Sequence, residues 1–380
     1  MEEYLYKNHK KLRYGYTTGT CAAAAAKAAA RMLLTGKRLT SISIDTPKGI
    51  CVTLSVSEIT ISNTKAVCAV QKDAGDDADC TDKIRIFAAV SYRADNGIVI
   101  EGGTGIGRVT RAGLEQPVGS AAINSVPRAM IKKEVLAELA AAGYDGGLQI
   151  IIFAPEGIAL AKKTFNPRLG IEGGISILGT SGIVEPMSER AIVDTIRLEL
   201  KQKKALGTKT LLLSPGNYGQ QFAQKTWGLD LDAGVKCSNF IGETLDIASE
   251  LGFSRILLIG HIGKLIKVAA GVMNTHSNMA DARLETLSAC AILAGANAQT
   301  ARRILLCTTT DDALQILADS PIFEAAMAAA MEKMLAHLHR RTGNGIQTEV
   351  ILFSNMYGIL AMSGNAEVFI EQIKKEIQNA

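Results

Sequence analysis

The chain has 380 residues, of which 47% are hydrophobic and 21% are charged, a composition typical of a globular protein. Its net charge is only +4 and no basic run contains interleaved aromatic residues, which argues against a nucleic-acid partner. No apolar run reaches the roughly 18 residues that span a bilayer, the charged N-terminal segment lacks an apolar signal core, and the seven cysteines are scattered, so we expect a cytoplasmic protein with no membrane partner.

The segment GYTTGTCAAAAAKAAARMLLTG contains an almost pure alanine tract, which predicts a helix that ends at Gly36. Four turn-forming residues precede the alanines: Thr17, Thr18, Gly19 and Thr20. Alanine buries little apolar area, but it allows a helix backbone to approach another surface closely. The open N–H groups at the start of the helix can bind an anion, or the threonines can simply cap a tightly packed helix. Both interpretations stay open.

Residues 41–101 are predicted to form strands and turns, because SISIDTPKGICVTLSVSEITIS alternates apolar and polar residues around the hairpin signal PKG. AVCAV predicts another strand, and IRIFAAVSYRADNGIVI predicts a strand pair about the turn DNG. The acidic loop KDAGDDADCTDK lies between them. It lacks the spacing and closing glutamate of a calcium loop, so we interpret it as an exposed acidic turn or a loop that faces a ligand.

The glycine-rich loop EGGTGIGRVTRAGL follows the last of these strands and contains Gly103, Thr104, Gly105, Arg108 and Arg111. It has the spacing G-x-G-x-G and no helix follows it, so it fails as a dinucleotide-binding fingerprint. The loop can wrap a ligand or make a tight turn. Its arginines are cations that a carboxylated ligand can use, or ordinary surface charges.

Further along, MIKKEVLAELAAAG predicts a helix that ends at Gly143, and LQIIIFAPEG predicts a strand. A helix capped by Ser188 carries Ile192, Ile196 and Leu200 on one face and runs into the charged segment KQKKALGTK. Because strands and helices are mixed without strict alternation, we predict an α+β domain over residues 1–206.

Residues 207–380 are predicted to form a Rossmann-like α/β domain with a parallel sheet. TLLLSPGNYG, VKCSNF, RILLIGHIGK and EVILFSNMYG contain short apolar runs, each followed by a loop or helical segment. Continuous apolar strands that alternate with helices are typical of a parallel sheet covered on both faces. Residues 280–342 are predicted to be nearly all helical.

Glycine-containing loops follow several of these predicted strands. Ligands of open α/β sheets bind beyond the carboxyl ends of the strands, and glycines there let the backbone approach a cofactor. The alternative is that the glycines serve only short connections. The candidate cofactor-binding residues at this edge are Gly216, Asn217, Tyr218, Gly219, Gly260, Gly263 and Lys264.

Two of the five histidines are candidates for ligand binding or catalysis. His261 lies at a predicted strand end, and His276 lies in the polar loop MNTHSN, which also has a purely structural explanation as a helix cap. His337 and His339 suit the C-terminal end of a helix, and His9 lies in a charged segment. No G-x-S-x-G nucleophile elbow is present.

Eight segments together resemble the cobalt-precorrin-5B C(1)-methyltransferases, the CbiD family. They run in the family order from about residue 13 to residue 290: GYTTGTCAAAAAKAA, QKDAGDDAD, EGGTGIGRVTRAGL, VGSAAINSVPRAMI, GISILGTSGIVEPMSE, PGNYG, SNFIGETLDIA and ILLIGHIGKLIKVAAGVMNTHS. One departure is the run Cys80-Thr81-Asp82-Lys83, where a valine, threonine, histidine run is expected. No histidine role is carried to that place.

The resemblance implies transfer of a methyl group from S-adenosylmethionine to ring carbon 1 of a cobalt-containing tetrapyrrole, giving cobalt-precorrin-6A in anaerobic cobalamin synthesis. Substrate could then pass from neighbouring enzymes of the pathway. No protein-bound metal is expected, because the cobalt belongs to the substrate. A non-catalytic tetrapyrrole carrier and a nicotinamide-dependent reductase are the alternatives, and the missing G-x-G-x-x-G counts against the reductase.

The resemblance also gives the candidate residues expected roles. The strand-end loops of the second domain would hold S-adenosylmethionine. The Thr17–Thr20 turn would accept a carboxylate of the substrate or the donor, and the glycine-rich loop with Arg108 and Arg111 would bind the tetrapyrrole. His261, His276 and Asp76 of the acidic loop are the candidates for moving a proton.

Overall fold

The computed structural model describes residues 4–7, 10–230 and 233–378. The chain forms two compact units, Met1–Glu189 and Arg190–Ala380, and both combine helices with sheets, so the fold is mixed α/β. No helix among the described residues is long and apolar enough to cross a membrane. The predicted domain boundary after residue 206 lies at the C-terminal end of the helix that opens the second unit, and it stays a prediction.

The elements of the first unit are, in chain order, β1 (Tyr4–Lys7), β2 (Lys10–Arg13), β3 (Gly15–Tyr16), α1 (Thr18–Thr35), β4 (Ser41–Asp45), β5 (Cys51–Ile61), β6 (Lys65–Gln71), β7 (Arg85–Arg93), β8 (Ile98–Gly102), β9 (Arg108–Val109), α2 (Ser125–Ala142), β10 (Gly147–Phe153), α3 (Gly157–Ala161), β11 (Ile171–Glu172) and β12 (Ile183–Val184).

The main sheet of this unit has the strand order β4-β5-β6-β7-β10-β8, and its neighbours are antiparallel except for the parallel pair β10 and β8. The strands predicted over residues 41–101 and the hairpin between β4 and β5 are confirmed. The prediction that β7 and β8 pair with each other is wrong. β10 lies between them and pairs with both, so the turn about Asn96 joins two strands that are not neighbours.

Helix α1 forms the centre of the first unit's core. Its cysteine and all of its alanines are fully buried, and the helix packs against α2 and the main sheet. The small side chains let the sheet come close, since the Cys68 thiol donates to the Ala25 carbonyl at 3.2 Å. Glycines in the left-handed conformation end α1 at Gly36 and α2 at Gly143, as predicted.

The elements of the second unit are, in chain order, α4 (Glu189–Ala205), β13 (Thr210–Ser214), α5 (Asn217–Trp227), β14 (Val235–Lys236), α6 (Ile241–Glu250), β15 (Arg255–His261), α7 (Ile262–Ala269), α8 (Arg283–Leu293), α9 (Ala298–Leu305), α10 (Thr310–Ala318), α11 (Phe323–Thr342), β16 (Gln347–Ser354), β17 (Gly358–Met362) and α12 (Ala366–Gln378).

The sheet of the second unit has the order β14-β13-β15-β16-β17, with the first four strands parallel and β17 antiparallel to β16. Alternate residues of one strand join different cores: Leu211 packs in one hydrophobic cluster with α7 and α11, and Leu212 in another with α12. Four parallel strands covered on both faces are therefore confirmed, whereas the Rossmann-like arrangement of the domain stays a prediction. The helical region predicted over residues 280–342 is confirmed by α8 to α11.

Candidate functional site

The carboxyl ends of three parallel strands meet at one edge of the second unit's sheet. Leu213 of β13 aligns with Leu258 of β15, and His261 at the end of β15 aligns with Phe353 of β16. Helix α7 begins directly after β15, and α5 begins after the two residues that follow β13, Pro215 and Gly216. The structure thus brings the predicted cofactor-binding loops 216–219 and 260–264 to the same edge. We call it the carboxyl edge.

Two lysines place positive charge at the carboxyl edge. The Lys264 ammonium donates to the Pro215 carbonyl at 2.8 Å, and the Lys236 ammonium donates to Oδ1 of Asn217 at 2.5 Å. Both bonds lie beside Gly216, which precedes the first turn of α5. Burial lowers the pKa of Lys264 below its ordinary value. This arrangement can bind a carboxylate, because cations and the open N–H groups of a helix N-terminus act together there.

The glycines of the carboxyl edge face different surroundings. A Cβ atom on Gly216 would meet only the Lys264 ammonium, at 3.9 Å, so the space above this residue is open. A Cβ atom on Gly219 would lie 2.2 Å from Oγ of Ser214, and one on Gly260 would lie 2.7 Å from Cγ of Leu265. Close packing therefore explains the latter two glycines without a ligand. Their cofactor-binding role stays a prediction.

His261 is held at the carboxyl edge by the helix that it begins. It is the N-cap residue of α7, and its Nδ1 accepts a hydrogen bond from the Gly263 N–H at 3.1 Å. Its ring lies nearly perpendicular to that of Phe353 at a centroid distance of 5.5 Å, and the ring of Tyr218, which is 63% exposed, lies at 6.3 Å. Burial lowers the pKa of His261, although the charge of Asp311 opposes this shift.

His276 lies in a loop that follows α7, and its side chain is exposed. Its Nδ1 accepts a hydrogen bond from the Asn278 N–H at 3.1 Å. The buried ammonium of Lys267 holds this loop from beneath, since it donates to the carbonyls of Thr275 at 3.3 Å and Ala280 at 2.9 Å. The second unit thus contains both candidate histidines, whereas Asp76 belongs to the first unit.

In the first unit, the N-terminus of α1 is buried against residues 176–182. The Thr17 side chain accepts from the Thr20 N–H, and the Gly19 N–H donates to the Leu178 carbonyl at 2.9 Å. The Thr18 hydroxyl accepts from the Leu178 N–H at 2.9 Å, and the Thr20 hydroxyl donates to the Gly182 carbonyl at 2.6 Å. The helix is therefore tightly packed and capped by threonine. Its predicted anion-binding role stays a prediction.

The glycine-rich loop is attached to the same segment of chain. Gly107 donates to the Ile175 carbonyl, and Ile175 donates to the Gly105 carbonyl, both at 2.9 Å. Gly105 has a φ of +79°, and a Cβ atom on it would lie 1.7 Å from the Ala154 carbonyl oxygen. The loop is thus a tight turn in contact with backbone, as one of the two interpretations expects. Ligand binding by Gly103, Thr104 and Gly105 remains a prediction.

The two predicted arginines of this loop are exposed. The Arg108 guanidinium donates to Oε1 of Glu101 at 2.9 Å and to the Gly102 carbonyl at 3.1 Å. The carbon chain of Arg111 lies over Gly170, where a Cβ atom would be 2.5 Å from Cγ of the arginine. Exposed guanidinium groups of this kind can bind a carboxylate in two-point contact.

The acidic loop is held by hydrogen bonds within the first unit. Arg13 forms a two-point ion pair with Asp73 at 2.7 and 2.8 Å, and its N–H donates to Oδ2 of Asp76 at 2.6 Å. Beneath the loop, the fully buried Lys72 pairs with Asp79 at 2.7 Å. The Arg13 guanidinium holds the pKa of Asp73 well below its usual range. The exposed Asp76 is the candidate proton acceptor in this loop, and that role stays a prediction.

The N-termini of α1 and α2 lie side by side in the first unit. A Cβ atom on Gly19 in the first turn of α1 would lie 2.7 Å from Cγ of Pro127 in the first turn of α2. The Ser125 N–H at the start of α2 donates to a carboxylate oxygen of Glu115 at 3.0 Å. Two helix N-termini at one place favour negative charge there. We call this end of the unit, formed by the first turns of α1 and α2, the N-terminal helix end.

Sequence reasoning missed three charged residues of the second unit. Lys236 is the last residue of the two-residue strand β14, inside the segment VKCSNF that was predicted as a strand, so its position was a usable signal. Lys267 occurs three residues after Lys264 in α7, but its burial depends on the fold. Asp311, whose carboxylate accepts from the Ser354 hydroxyl at 2.9 Å, comes from a distant helix and left no local signal.

Two family models match the chain: CbiD over residues 5–186, and the C-terminal domain of CbiD over residues 274–364. Among curated relatives, the cobalt-precorrin-5B C(1)-methyltransferase of Ruminiclostridium cellulolyticum is 50% identical, over 94% of this chain and 92% of its own. That of Alkaliphilus metalliredigens is 46% identical over 99% of both chains. A crystal structure of a cobalamin biosynthesis protein (cbiD) from Archaeoglobus fulgidus is 26% identical, covers 74% of this chain and 88% of its own, and has a TM-score of 0.40.

Proposed function

The chain belongs to the CbiD family, and we propose that it transfers a methyl group from S-adenosylmethionine to ring carbon 1 of cobalt-precorrin-5B. It is a methyltransferase of cobalamin biosynthesis. The observation that carries this conclusion is the near-complete alignment with relatives that are named for this activity, at up to 50% identity. The seven cysteines are all free, which suits action in a reducing cytoplasm.

The carboxyl edge of the second unit is the proposed site of the methyl donor, in the manner of a Rossmann-like sheet. When bound, S-adenosylmethionine supplies an electrophilic methyl group. Lys264 and Lys236 would hold its carboxylate beside the N-terminus of α5, where Gly216 leaves open space. The exposed ring of Tyr218 would pack on its adenine. These contacts support a site that combines charge with an aromatic surface.

The first unit is the proposed site of the tetrapyrrole carboxylates. The N-terminal helix end favours anions, because the first turns of α1 and α2 are adjacent there. The Ser125 N–H already binds the carboxylate of Glu115, which illustrates the chemistry that this end accepts. Arg108 and Arg111 add exposed guanidinium groups. Thr17 to Thr20 would contribute mainly by fixing this end of α1, since their hydroxyls bind the protein's own backbone.

Methyl transfer from a sulfonium group needs the donor methyl and the ring carbon in line, without water between them. The task of the protein is therefore positioning, and well-oriented reactants can gain about 7–11 kcal/mol of the barrier in this way. Residues that bind the donor carboxylate and those that bind the ring carboxylates would fix the two reactants. His276 and Asp76 remain the proposed proton acceptors.

The direct test incubates the protein with cobalt-precorrin-5B and methyl-labelled S-adenosylmethionine. We expect one labelled methyl group per product molecule and release of S-adenosylhomocysteine. A carrier would bind the tetrapyrrole but transfer no label, and a nicotinamide-dependent reductase would oxidise NADH without using the methyl donor. Either result would refute the proposal.

The site of the donor has its own test by titration with S-adenosylhomocysteine. Lys264→Met should weaken binding roughly 10- to 100-fold, the range for loss of a hydrogen bond to a charged group. Lys225→Met is the matched control, because Lys225 is an exposed lysine in the last turn of α5. Equal affinities of the two variants would show that the donor does not bind at the carboxyl edge.

A further inference from the structure

His261 uses one of its ring nitrogens to cap a helix. Its backbone is extended, with φ −68° and ψ 141°, and α7 starts at the next residue. Nδ1 accepts a hydrogen bond from the Gly263 N–H at 3.1 Å, in the position that a serine or aspartate oxygen occupies in an ordinary N-cap. The lone pair of Nδ1 is therefore engaged with the backbone.

This bond determines where the ring carries its proton. A neutral imidazole has one nitrogen that donates and one that accepts, so a ring that accepts at Nδ1 carries its hydrogen at Nε2. Protonation of Nδ1 would set two N–H donors against each other. It would also place a cation at the positive end of the helix dipole. The cap thus favours the neutral tautomer with Nε2–H.

The surroundings of the ring also favour the neutral form of the imidazole. The ring of Phe353 lies nearly perpendicular to it, and the ring of Tyr218 lies at a centroid distance of 6.3 Å. The charged group that acts on it is Asp311 from α10. Burial lowers the pKa of His261 more than the charge of Asp311 raises it. Among the residues that the structure describes, none accepts a hydrogen bond from Nε2.

We propose that His261 is a neutral hydrogen-bond donor at the methyl-donor site: Nδ1 caps α7, and Nε2–H binds a carboxylate or ribose oxygen of S-adenosylmethionine. It binds and orients this ligand and does not accept a proton during turnover. This role differs from the proton transfer expected from the sequence. It rests on the proposed function, because the ligand is the methyl donor of that reaction.

Two substitutions separate the two ring nitrogens. The side-chain oxygen of His261→Asn reaches about as far as Nδ1, so this variant should keep the cap and lose the Nε2 donor. The longer amide of His261→Gln places an N–H near the position of Nε2, so this variant should keep the donor and lose the cap. A base would lose its function in both variants, since neither amide accepts a proton at neutral pH.

Titration with S-adenosylhomocysteine tests the ligand contact. We expect binding by His261→Asn to be about 10- to 100-fold weaker than by the wild type, at an unchanged thermal midpoint. His261→Gln should bind within a few-fold of the wild type and melt at a lower temperature, because the cap is lost. Equal affinity of His261→Asn and the wild-type protein would overturn the role of His261. No binding by the wild-type protein would overturn the donor site itself.

The ring tautomer is tested in the intact wild-type protein by ¹⁵N NMR of the histidine side chains. We expect the His261 ring to carry its hydrogen on Nε2 at pH 7, and to gain a second proton at a lower pH than an ordinary imidazole. A ring that carries its hydrogen on Nδ1 at pH 7 would overturn the inference.

Discussion

The buried ion pair beneath the acidic loop should respond unequally to loss of its cation and loss of its anion. Lys72 Nζ lies 2.7 Å from Oδ2 of Asp79, and the exposed fractions of the two side chains are 2% and 25%. The other carboxylate oxygen, Oδ1, accepts from the N–H of Thr81 at 2.7 Å and from its hydroxyl at 2.6 Å. Removing either partner leaves the other charge without compensation.

Asp79→Asn should be the more damaging change. It leaves the Lys72 ammonium buried without a counter-charge. The asparagine amide also has only one oxygen, whereas the Lys72 ammonium, the Thr81 N–H and the Thr81 hydroxyl all need an acceptor. Loss of one partner from a buried pair costs about 3–5 kcal/mol. Lys72→Met keeps the buried carbon chain, and the stranded carboxylate keeps Thr81 and some water, so about 1–2 kcal/mol is expected.

Urea unfolding followed by circular dichroism measures both losses in the full chain. The double variant should resemble Lys72→Met, so the coupling between the two sites should equal the loss expected for Asp79→Asn, about 3–5 kcal/mol. Asp95→Asn is the control, because it removes an aspartate of an exposed pair with Arg93 and should change little. Equal losses for Lys72→Met and Asp79→Asn would refute the argument from unequal burial.

The same pair predicts how stability depends on pH. Although burial favours the neutral acid, hydrogen bonds from Lys72 and Thr81 hold the pKa of Asp79 below its ordinary value. A carboxyl group whose folded pKa is lowered contributes stability above its unfolded pKa of about 3.9, and this contribution is lost as the pH falls through the folded value. The difference between wild type and Asp79→Asn should therefore be constant from pH 5 to 7 and shrink below pH 4. A constant difference at all pH values would contradict this account.

Two further predictions concern single contacts. Thr18→Val should lower the free energy of unfolding by about 1 kcal/mol, because it leaves the partly buried Leu178 N–H without its acceptor. Thr18→Ser should behave like the wild type in urea unfolding, and equal stability of the two variants would contradict this account. Lys267→Met should speed amide hydrogen exchange in residues 275–280, since the ammonium binds a carbonyl at each end of that loop. The control Lys204→Met removes a lysine bond to the Gly252 carbonyl and should leave exchange in residues 275–280 unchanged. Unchanged exchange in both variants would refute the role of Lys267.

The features that the sequence predicts well are local. A glycine after a helical pattern ends α1 at Gly36 and α2 at Gly143, because the left-handed conformation that each helix end needs is open to glycine. Strand β13 is buried at every position, and its continuous apolar run indicates a parallel strand without knowledge of its neighbours. Such signals depend on a few adjacent residues.

The separation of β7 and β8 in the sheet was not predictable, because it depends on residues that are distant in sequence. The turn about Asn96 is present, but β10, which comes about fifty residues later, takes the place between the two strands. A hairpin signal specifies only that the chain reverses there. Which strand pairs with which is decided by burial of the whole sheet against α1 and α2.

The candidate site also combines features that adjacent residues predict with features that depend on the fold. The rule that ligands bind at the carboxyl ends of parallel strands predicts the edge that carries His261 and Lys264. It does not predict which nitrogen of the histidine is engaged, because that depends on α7 starting at Ile262. A sequence can indicate a residue near a site and leave its chemical role to atomic contacts.

The spacing of charged residues in α1 and α2 indicates how the two helices are oriented. Lys27 pairs with Glu134 at 2.7 Å, and Arg31 pairs with Glu138 at 2.6 and 2.7 Å. Each helix carries its charges four residues apart, which places them on one face. The pairs occur in the same order along both helices, so the helices run in the same direction.

Two adjacent helices that run in the same direction have their positive ends together. Parallel dipoles repel each other, and the alanines of α1, which bring the helices close, increase this cost. The two ion pairs offset part of it along the helices, and an anion at the N-terminal helix end offsets more. Glu115 meets that need at Ser125 in this structure. A carboxylate of the substrate would meet it in the same way, so the orientation of the two helices connects the alanine tract with the proposed tetrapyrrole site.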